Sequence, residues 1–293
     1  MQSDFTGLIT ALITPFENGK VDFNSLENLL AYQTKGGVKN FVVNGTTSES
    51  PTLEQEEVKK IFQLIRSQIG SKGKILLGTG SNNTKKTIEF SKTAESWGAD
   101  GVLVVTPYYN KPPQRGLIKH FTFVAEAIDI PVVLYNVPSR TNVSMTLETV
   151  EVLSKVKNIV GIKEATGLLE FTSQVVKACG NDFIVTSGDD LSCVDLIGQG
   201  SQGVISVISH LIPRELNVII EQAKSDLLGA QQAYLAYKGL LEALYAEPNP
   251  MGVKMVLYQM GIIKSPELRL PMVAMEDRCA EKLKSEIRRL GIA

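Results

Sequence analysis

Short apolar, β-branched runs alternate with longer amphipathic stretches over roughly the first 210 residues of the chain. Eight of these runs read as strands: residues 7–15, 40–45, 74–79, 101–106, 130–137, 159–164, 183–187 and 203–209. Between them, apolar positions recur at helical spacing over 24–35, 55–68, 84–97, 117–127, 147–155, 168–178 and 191–197. Strands that alternate with helices build parallel βαβ units. Eight right-handed units bring the last strand beside the first, so the predicted fold is α/β, a (β/α)8 TIM barrel.

An open doubly wound sheet is the competing architecture, and the glycines speak against it. The stretch Gly78-Thr79-Gly80-Ser81-Asn82-Asn83 lacks the third glycine of a dinucleotide fingerprint and follows the third strand rather than the first. From about Ser209 the rhythm stops, and the remainder reads as helices punctuated by Pro213, Pro248, Pro250 and Pro271. The expected organisation is a catalytic barrel over 1–225 and a C-terminal helical extension over 226–293, packed on the barrel without a Gly/Ser-rich linker.

Composition narrows the function classes. The chain is 43% hydrophobic and 21% charged with a net charge of −1, and its cations are dispersed, so nucleic acid and anionic membrane are not expected partners. Met1 to Thr6 shows no basic segment leading into an apolar core, and no apolar stretch reaches the length of a membrane span; a cytoplasmic location is expected. Cys179, Cys193 and Cys279 form no metal-ligand spacing, and His120 and His210 are the two histidines, which leaves a zinc mechanism short of ligands. No cofactor or metal is expected.

The chemistry gathers where strands end. Lys163 closes the apolar run Ile159-Val160-Gly161-Ile162, and strand alternation puts Gly161, Lys163 and Ala165 on one face. A lone lysine there is open to two readings: a strand-end side chain snorkelling to solvent, or an amine in an apolar site, which loses its charge readily and attacks carbonyls. The other strand ends carry Gly45-Thr46-Thr47-Ser48-Glu49-Ser50, Thr106-Pro107-Tyr108-Tyr109-Asn110, Tyr135-Asn136-Val137-Pro138-Ser139-Arg140, Ser187-Gly188-Asp189-Asp190 and Gly203-Val204-Ile205-Ser206. Each has a bland alternative: hydroxyls of the first capping the helix after Pro51, the tyrosine pair as an interface patch, Tyr135 as core, and Asp189-Asp190 as a cap for a helix at Leu191. A barrel, however, places all of these ends at one rim.

Their chemistry is complementary. Tyr135 with Thr46 or Thr47 forms a phenol–hydroxyl relay suited to the proton transfers of imine formation. Amides and hydroxyls of the second strand's loop suit one carboxylate, and Arg140 can grip a second bidentately. The residues therefore point to a lysine-imine aldolase acting on α-keto acids.

These motifs, GTTSES, TPYYNKP, LYNVPSRT, GIKEAT, SGDD, GVISV and Glu247-Pro248-Asn249-Pro250, closely resemble those of the dihydrodipicolinate (4-hydroxy-tetrahydrodipicolinate) synthases, within the pyruvate-dependent class I aldolases that include N-acetylneuraminate lyase. The resemblance spans essentially the whole chain. It implies condensation of pyruvate with L-aspartate 4-semialdehyde in diaminopimelate and lysine biosynthesis, and a homotetramer built as a dimer of dimers. By the same resemblance Lys163 is the imine-forming lysine, Tyr135 the proton shuttle, Thr47 the threonine between two phenols with Thr46 beside it, and Tyr109 the phenol that crosses a dimer interface. Arg140 corresponds to the arginine receiving the semialdehyde carboxylate, and Gly188 and Ile205 to residues of the pyruvate pocket.

Two departures stand out. Ser48 replaces a glycine common in the family loop, which implies strain if that position needs a positive φ and an added donor if it does not. At the positions where sensitive members bind lysine as a feedback inhibitor, Ser50, Asn82 and Tyr108 remain, but the histidines are Gln55 and Val58 and the glutamate is Lys86. A cation in place of that carboxylate implies weak or absent inhibition by lysine, or a site that has switched to another, anionic effector. The alternatives for function are another pyruvate-dependent aldolase, such as a sugar-acid aldolase or N-acetylneuraminate lyase, and a non-catalytic keto-acid-binding barrel. Arg140 in its VPSRT setting suits a short carboxylated aldehyde better than a polyhydroxylated chain.

Overall fold

In the computed structural model, which describes residues 5–292, eight parallel strands close into a barrel. They are β1 (Gly7–Ala11), β2 (Asn40–Val43), β3 (Ile75–Gly78), β4 (Gly101–Val105), β5 (Val132–Asn136), β6 (Ile159–Glu164), β7 (Ile184–Ser187) and β8 (Gly203–Ser206). Each pairs with its sequence neighbours, and closure comes from β1, which pairs with β2 at Ile9–Asn40 and with β8 at Gly7–Gly203. The strands are almost wholly buried because helices cover the outside while side chains fill the inside.

The covering helices are α1 (Phe23–Lys35), α2 (Gln55–Ile69), α3 (Thr84–Ser96), α4 (Gln114–Glu126), α5 (Leu147–Leu153), α6 (Leu169–Cys179), α7 (Cys193–Gly198) and α8 (Pro213–Ala223). Their starts follow from local capping. Asp22 accepts from the Ser25 amide at 3.1 Å, Asn83 from the Lys86 amide at 3.1 Å, and Glu54 and Glu57 form a capping box at α2. The extension adds α9 (Leu227–Leu235), α10 (Lys238–Leu244), α11 (Met251–Gln259) and α12 (Asp277–Leu290). The expected boundary after residue 225 falls in the short connection between α8 and α9.

Two apolar runs are longer than the strands they contain, for one reason. Beyond Ala11 the buried residues Leu12, Ile13 and Phe16 lead into a small hairpin (Phe16–Glu17 with Lys20–Val21), and beyond Ser206 the chain turns through Ile208–His210. Burial, not strand pairing, keeps those segments apolar. Among the described residues no helix is long and apolar enough to cross a membrane. The N-terminal expectation for Met1 to Thr6 falls mostly on residues 1–4, outside the described part.

Candidate active site

A cavity of about 180 Å³ opens where the strands end. That volume is below the range for drug-sized ligands and suits a small metabolite. Lys163, Tyr135, Thr46, Thr47, Arg140 and Gly188 all line it. β5 and β6 are in register at Tyr135 and Lys163, so both side chains leave the ladder on the same face, and the Lys163 Nζ lies 4.4 Å from the centroid of the Tyr135 ring. On the other side of Lys163 stands Gly188, just past β7. A β-carbon there would come within 2.8 Å of Lys163 Cε and within 2.9 Å of its Cγ, so glycine makes the slot in which the lysine stem lies.

The carboxylate next to the lysine takes no part in the cavity. Glu164 accepts from Asn136 Nδ2 at 2.8 Å and from the Thr166 amide at 2.6 Å, while Asn136 Oδ1 accepts from the Met145 amide at 3.1 Å. Burial raises the Glu164 carboxyl above its ordinary range, and these hydrogen bonds counter the shift. The result is a tie between the ends of β5 and β6, the strands that carry Tyr135 and Lys163.

Thr46 and Thr47 begin a three-residue turn, Thr46–Ser48, that follows β2. Their hydroxyls do not cap α2, which is capped by Glu54 and Glu57. Ser48 is outside the left-handed region, which the next residue, Glu49, occupies instead (φ 57°). The Ser48 hydroxyl donates to the Leu12 carbonyl at 2.6 Å, so serine here costs no backbone strain and anchors the turn to the end of β1. Arg140 sits in a single helical turn, Pro138–Thr141, directly after β5.

Other expected residues lie elsewhere. Ile205 does not line the cavity: it is buried within β8 opposite Ile9, and Val207, just past the strand, takes its place. Tyr109 is 89% exposed, in a left-handed conformation (φ 72°), and is also outside the lining. Asp189, by contrast, does line the cavity, and it holds the Ser192 amide and hydroxyl at 3.0 and 2.6 Å ahead of α7, which begins at Cys193 rather than Leu191. Asp190 is buried. It accepts from the amides of Val207 and Ile208 at 2.9 and 2.8 Å and from the Tyr245 hydroxyl at 2.5 Å, and burial raises its carboxyl.

Tyr245 and Asn249 were not expected in the cavity, yet both line it. They come from the extension, where Asn249 Nδ2 donates to Thr47 Oγ1 at 2.8 Å. For Asn249 the sequence signal was the Glu247-Pro248-Asn249-Pro250 motif, which by itself suggested no role, and Tyr245 lies just before it.

A second cavity of about 270 Å³ lies outside the barrel mouth. Ser50, Gln55, Val58, Lys86 and Tyr108 line it, whereas Asn82 does not; its carbonyl accepts from Asn110 Nδ2 at 2.9 Å.

Fold and cavity together define a (β/α)8-barrel protein with a lysine, a tyrosine and an arginine converging at the strand C-termini. The chain belongs to the dihydrodipicolinate synthetase family, whose model matches residues 4–290. The 4-hydroxy-tetrahydrodipicolinate synthase of Bdellovibrio bacteriovorus is 49% identical over 290 residues, covering 99% of both chains. Among solved structures, the dihydrodipicolinate synthase of Thermotoga maritima is 38% identical with a TM-score of 0.96, covering 99% of both chains. That of Cyanidioschyzon merolae, solved with lysine bound, is 37% identical with a TM-score of 0.93 and 99% coverage of both. The chain is thus an enzyme, a lyase.

Proposed function

We propose that this enzyme condenses pyruvate with L-aspartate 4-semialdehyde, with Lys163 carrying pyruvate as an imine. The observation that carries the reading is the pairing of Lys163 with Tyr135 across β5 and β6 inside a cavity that also holds Thr46, Thr47 and Arg140. Lys163 Nζ attacks the keto carbon, and the carbonyl oxygen leaves as water after taking up protons relayed by Tyr135 and Thr47. Loss of a methyl proton to the Tyr135–Thr47 relay turns the imine into an enamine, whose carbon attacks the aldehyde while the aldehyde oxygen takes up a proton; the amino group of the condensed chain then attacks the imine carbon, closing the ring and expelling the Lys163 amine. The Thr46–Ser48 turn presents the amides of Thr46 and Thr47 to the pyruvate carboxylate. Arg140 receives the carboxylate of the semialdehyde bidentately, which orients the aldehyde against the enamine.

Tyr109, exposed on a protruding turn, completes the relay of a neighbouring subunit in a homotetramer made of two dimers. The enzyme works in the cytoplasm, and its extension over residues 226–293 belongs to the same catalytic unit. Lysine inhibits it weakly or not at all. In the second cavity Lys86 confronts an incoming α-ammonium with a like charge, and Gln55 and Val58 offer no compensating anion.

Borohydride added in the presence of pyruvate tests the mechanism. Reduction fixes a mass increment on Lys163, and its absence there would refute the imine. Turnover with aspartate semialdehyde against sugar aldehydes then decides the acceptor.

A further inference from the structure

Two lysines are buried among the described residues: Lys163 in the cavity and Lys254 on α11, outside it. Lys254 Nζ donates to Glu49 Oε1 at 2.5 Å and to the Glu267 carbonyl at 2.8 Å, and it lies 4.1 Å from the centroid of the Phe16 ring. These contacts account for three donor directions of one ammonium. Its partner Glu49 is equally buried and directly follows the Thr46–Ser48 turn.

Glu49 closes that turn. Its amide donates to the Thr46 carbonyl at 3.1 Å, and its left-handed backbone is one that a β-carbon disfavours. Lys254 engages one carboxylate oxygen, and the Arg269 amide engages the other at 2.9 Å. Arg269 also grips Glu57 through both terminal nitrogens, at 2.7 and 2.6 Å, and donates to the Thr52 carbonyl at 2.7 Å. Five residues before Lys254, Asn249 holds the Thr47 hydroxyl at 2.8 Å. The extension therefore grips the segment Thr46-Thr47-Ser48-Glu49 at its second and fourth residues.

A fully buried ion pair is a weak way to stabilise a fold, because desolvation of both charges offsets their attraction. What it supplies is geometry: a carboxylate held on both oxygens fixes the backbone that carries it. We propose that Lys254 and Asn249 are positioning residues for the keto-acid site, pinning Glu49 and Thr47 so that the intervening turn is preformed to receive the pyruvate carboxylate. This rests on reading that turn as the carboxylate cradle. Without the Lys254–Glu49 half of the clamp, Lys163 and Tyr135 stay on their strands and Asn249 still holds the Thr47 hydroxyl, so capture of pyruvate weakens while the chemistry after saturation persists, a rise in KM at nearly constant kcat.

Removing Lys254 alone strands a buried carboxylate, so the informative variant is the double Glu49→Gln/Lys254→Met, which deletes both charges together. Its folding is followed by thermal melting, and pyruvate capture by the concentration that half-saturates borohydride trapping at Lys163. Half-saturation is expected to rise about tenfold, with kcat within about threefold of the parent. Asn249→Ala should raise half-saturation as well, together with a fall in kcat because it also frees the Thr47 hydroxyl, and unchanged half-saturation in it overturns the clamp if the double variant does not fold. Unchanged half-saturation in a folded variant overturns the clamp, as does a fall confined to kcat. Failure of the parent enzyme to be trapped at all is a different result: it overturns the imine reading, and this inference with it.

Discussion

Tyr135 and Lys163 are direct partners across neighbouring strands, with the ammonium nitrogen 4.4 Å from the ring centroid. Two neighbouring strands set that proximity, so on the proposed mechanism the placement of the Tyr135 ring beside Lys163 does not depend on a loop. Tyr135→Phe keeps the ring against which Lys163 lies and deletes only the hydroxyl. Its kcat should fall by roughly 10²- to 10³-fold while the melting temperature stays close to that of the parent. Stopped-flow measurement of imine formation, beside melting curves, checks both; an active Tyr135→Phe would remove the phenol from the relay.

On the proposed mechanism, Tyr109 serves the relay of a neighbouring subunit. It is 89% exposed and outside the cavity of its own chain, so that role requires the assembly. Specific activity should decline as the protein is diluted through its dimer dissociation, and Tyr109→Phe should lower kcat without changing the sedimentation profile. Activity that is constant while sedimentation reports monomers would exclude a role for the neighbouring subunit.

Lysine sensitivity should respond to one charge. The parent is expected to keep most of its activity at millimolar lysine, and Lys86→Glu, which exchanges repulsion for attraction, should bind lysine more tightly in calorimetry. Half-maximal inhibition of the parent at submillimolar lysine would reverse this reading of the second cavity.

Acid should unfold the protein partly through its histidines. Burial pushes both His120 and His210 down to about 4. Between the ordinary histidine value of about 6.5 and that lowered value, the unfolded chain binds protons that the native state refuses, so stability falls as pH falls through this window. Each such group contributes at most about 1.4 kcal/mol per pH unit. His210 has no spare site for a proton: Nδ1 donates to the Val207 carbonyl at 2.8 Å and Nε2 accepts from the Ile13 amide at 3.2 Å. The raised carboxyls of Glu164 and Asp190 act in the opposite sense, since the native state there retains protons that the unfolded chain releases. Comparison with His210→Gln isolates the histidine. The parent's denaturation midpoint should drop more steeply than the variant's between pH 6.5 and 4, and parallel curves would contradict the assignment.

The barrel was legible because its signals are local. Alternation marks Lys163 as inward with Gly161, and helical spacing separates each strand from the next. Strand ends were harder to place: residues 12–16 and 207–210 are as apolar as strands because they are buried, and periodicity does not distinguish burial from pairing. Ser48 shows the same limit at one residue. Its side chain could be read, but not the backbone angle that made it harmless and passed the left-handed position to Glu49.

The sequence by itself determined the eightfold strand–helix order and the motifs that mark Lys163, Tyr135, Thr47 and Arg140, since each lies within a short stretch of chain. Only the tertiary structure decided that Asn249 would reach Thr47 and Lys254 would reach Glu49, contacts spanning 202 and 205 residues. Such pairs leave no periodicity for a local pattern to reveal. They exist because closure of the barrel brings the helical extension over the mouth, where the second strand's turn waits to be held.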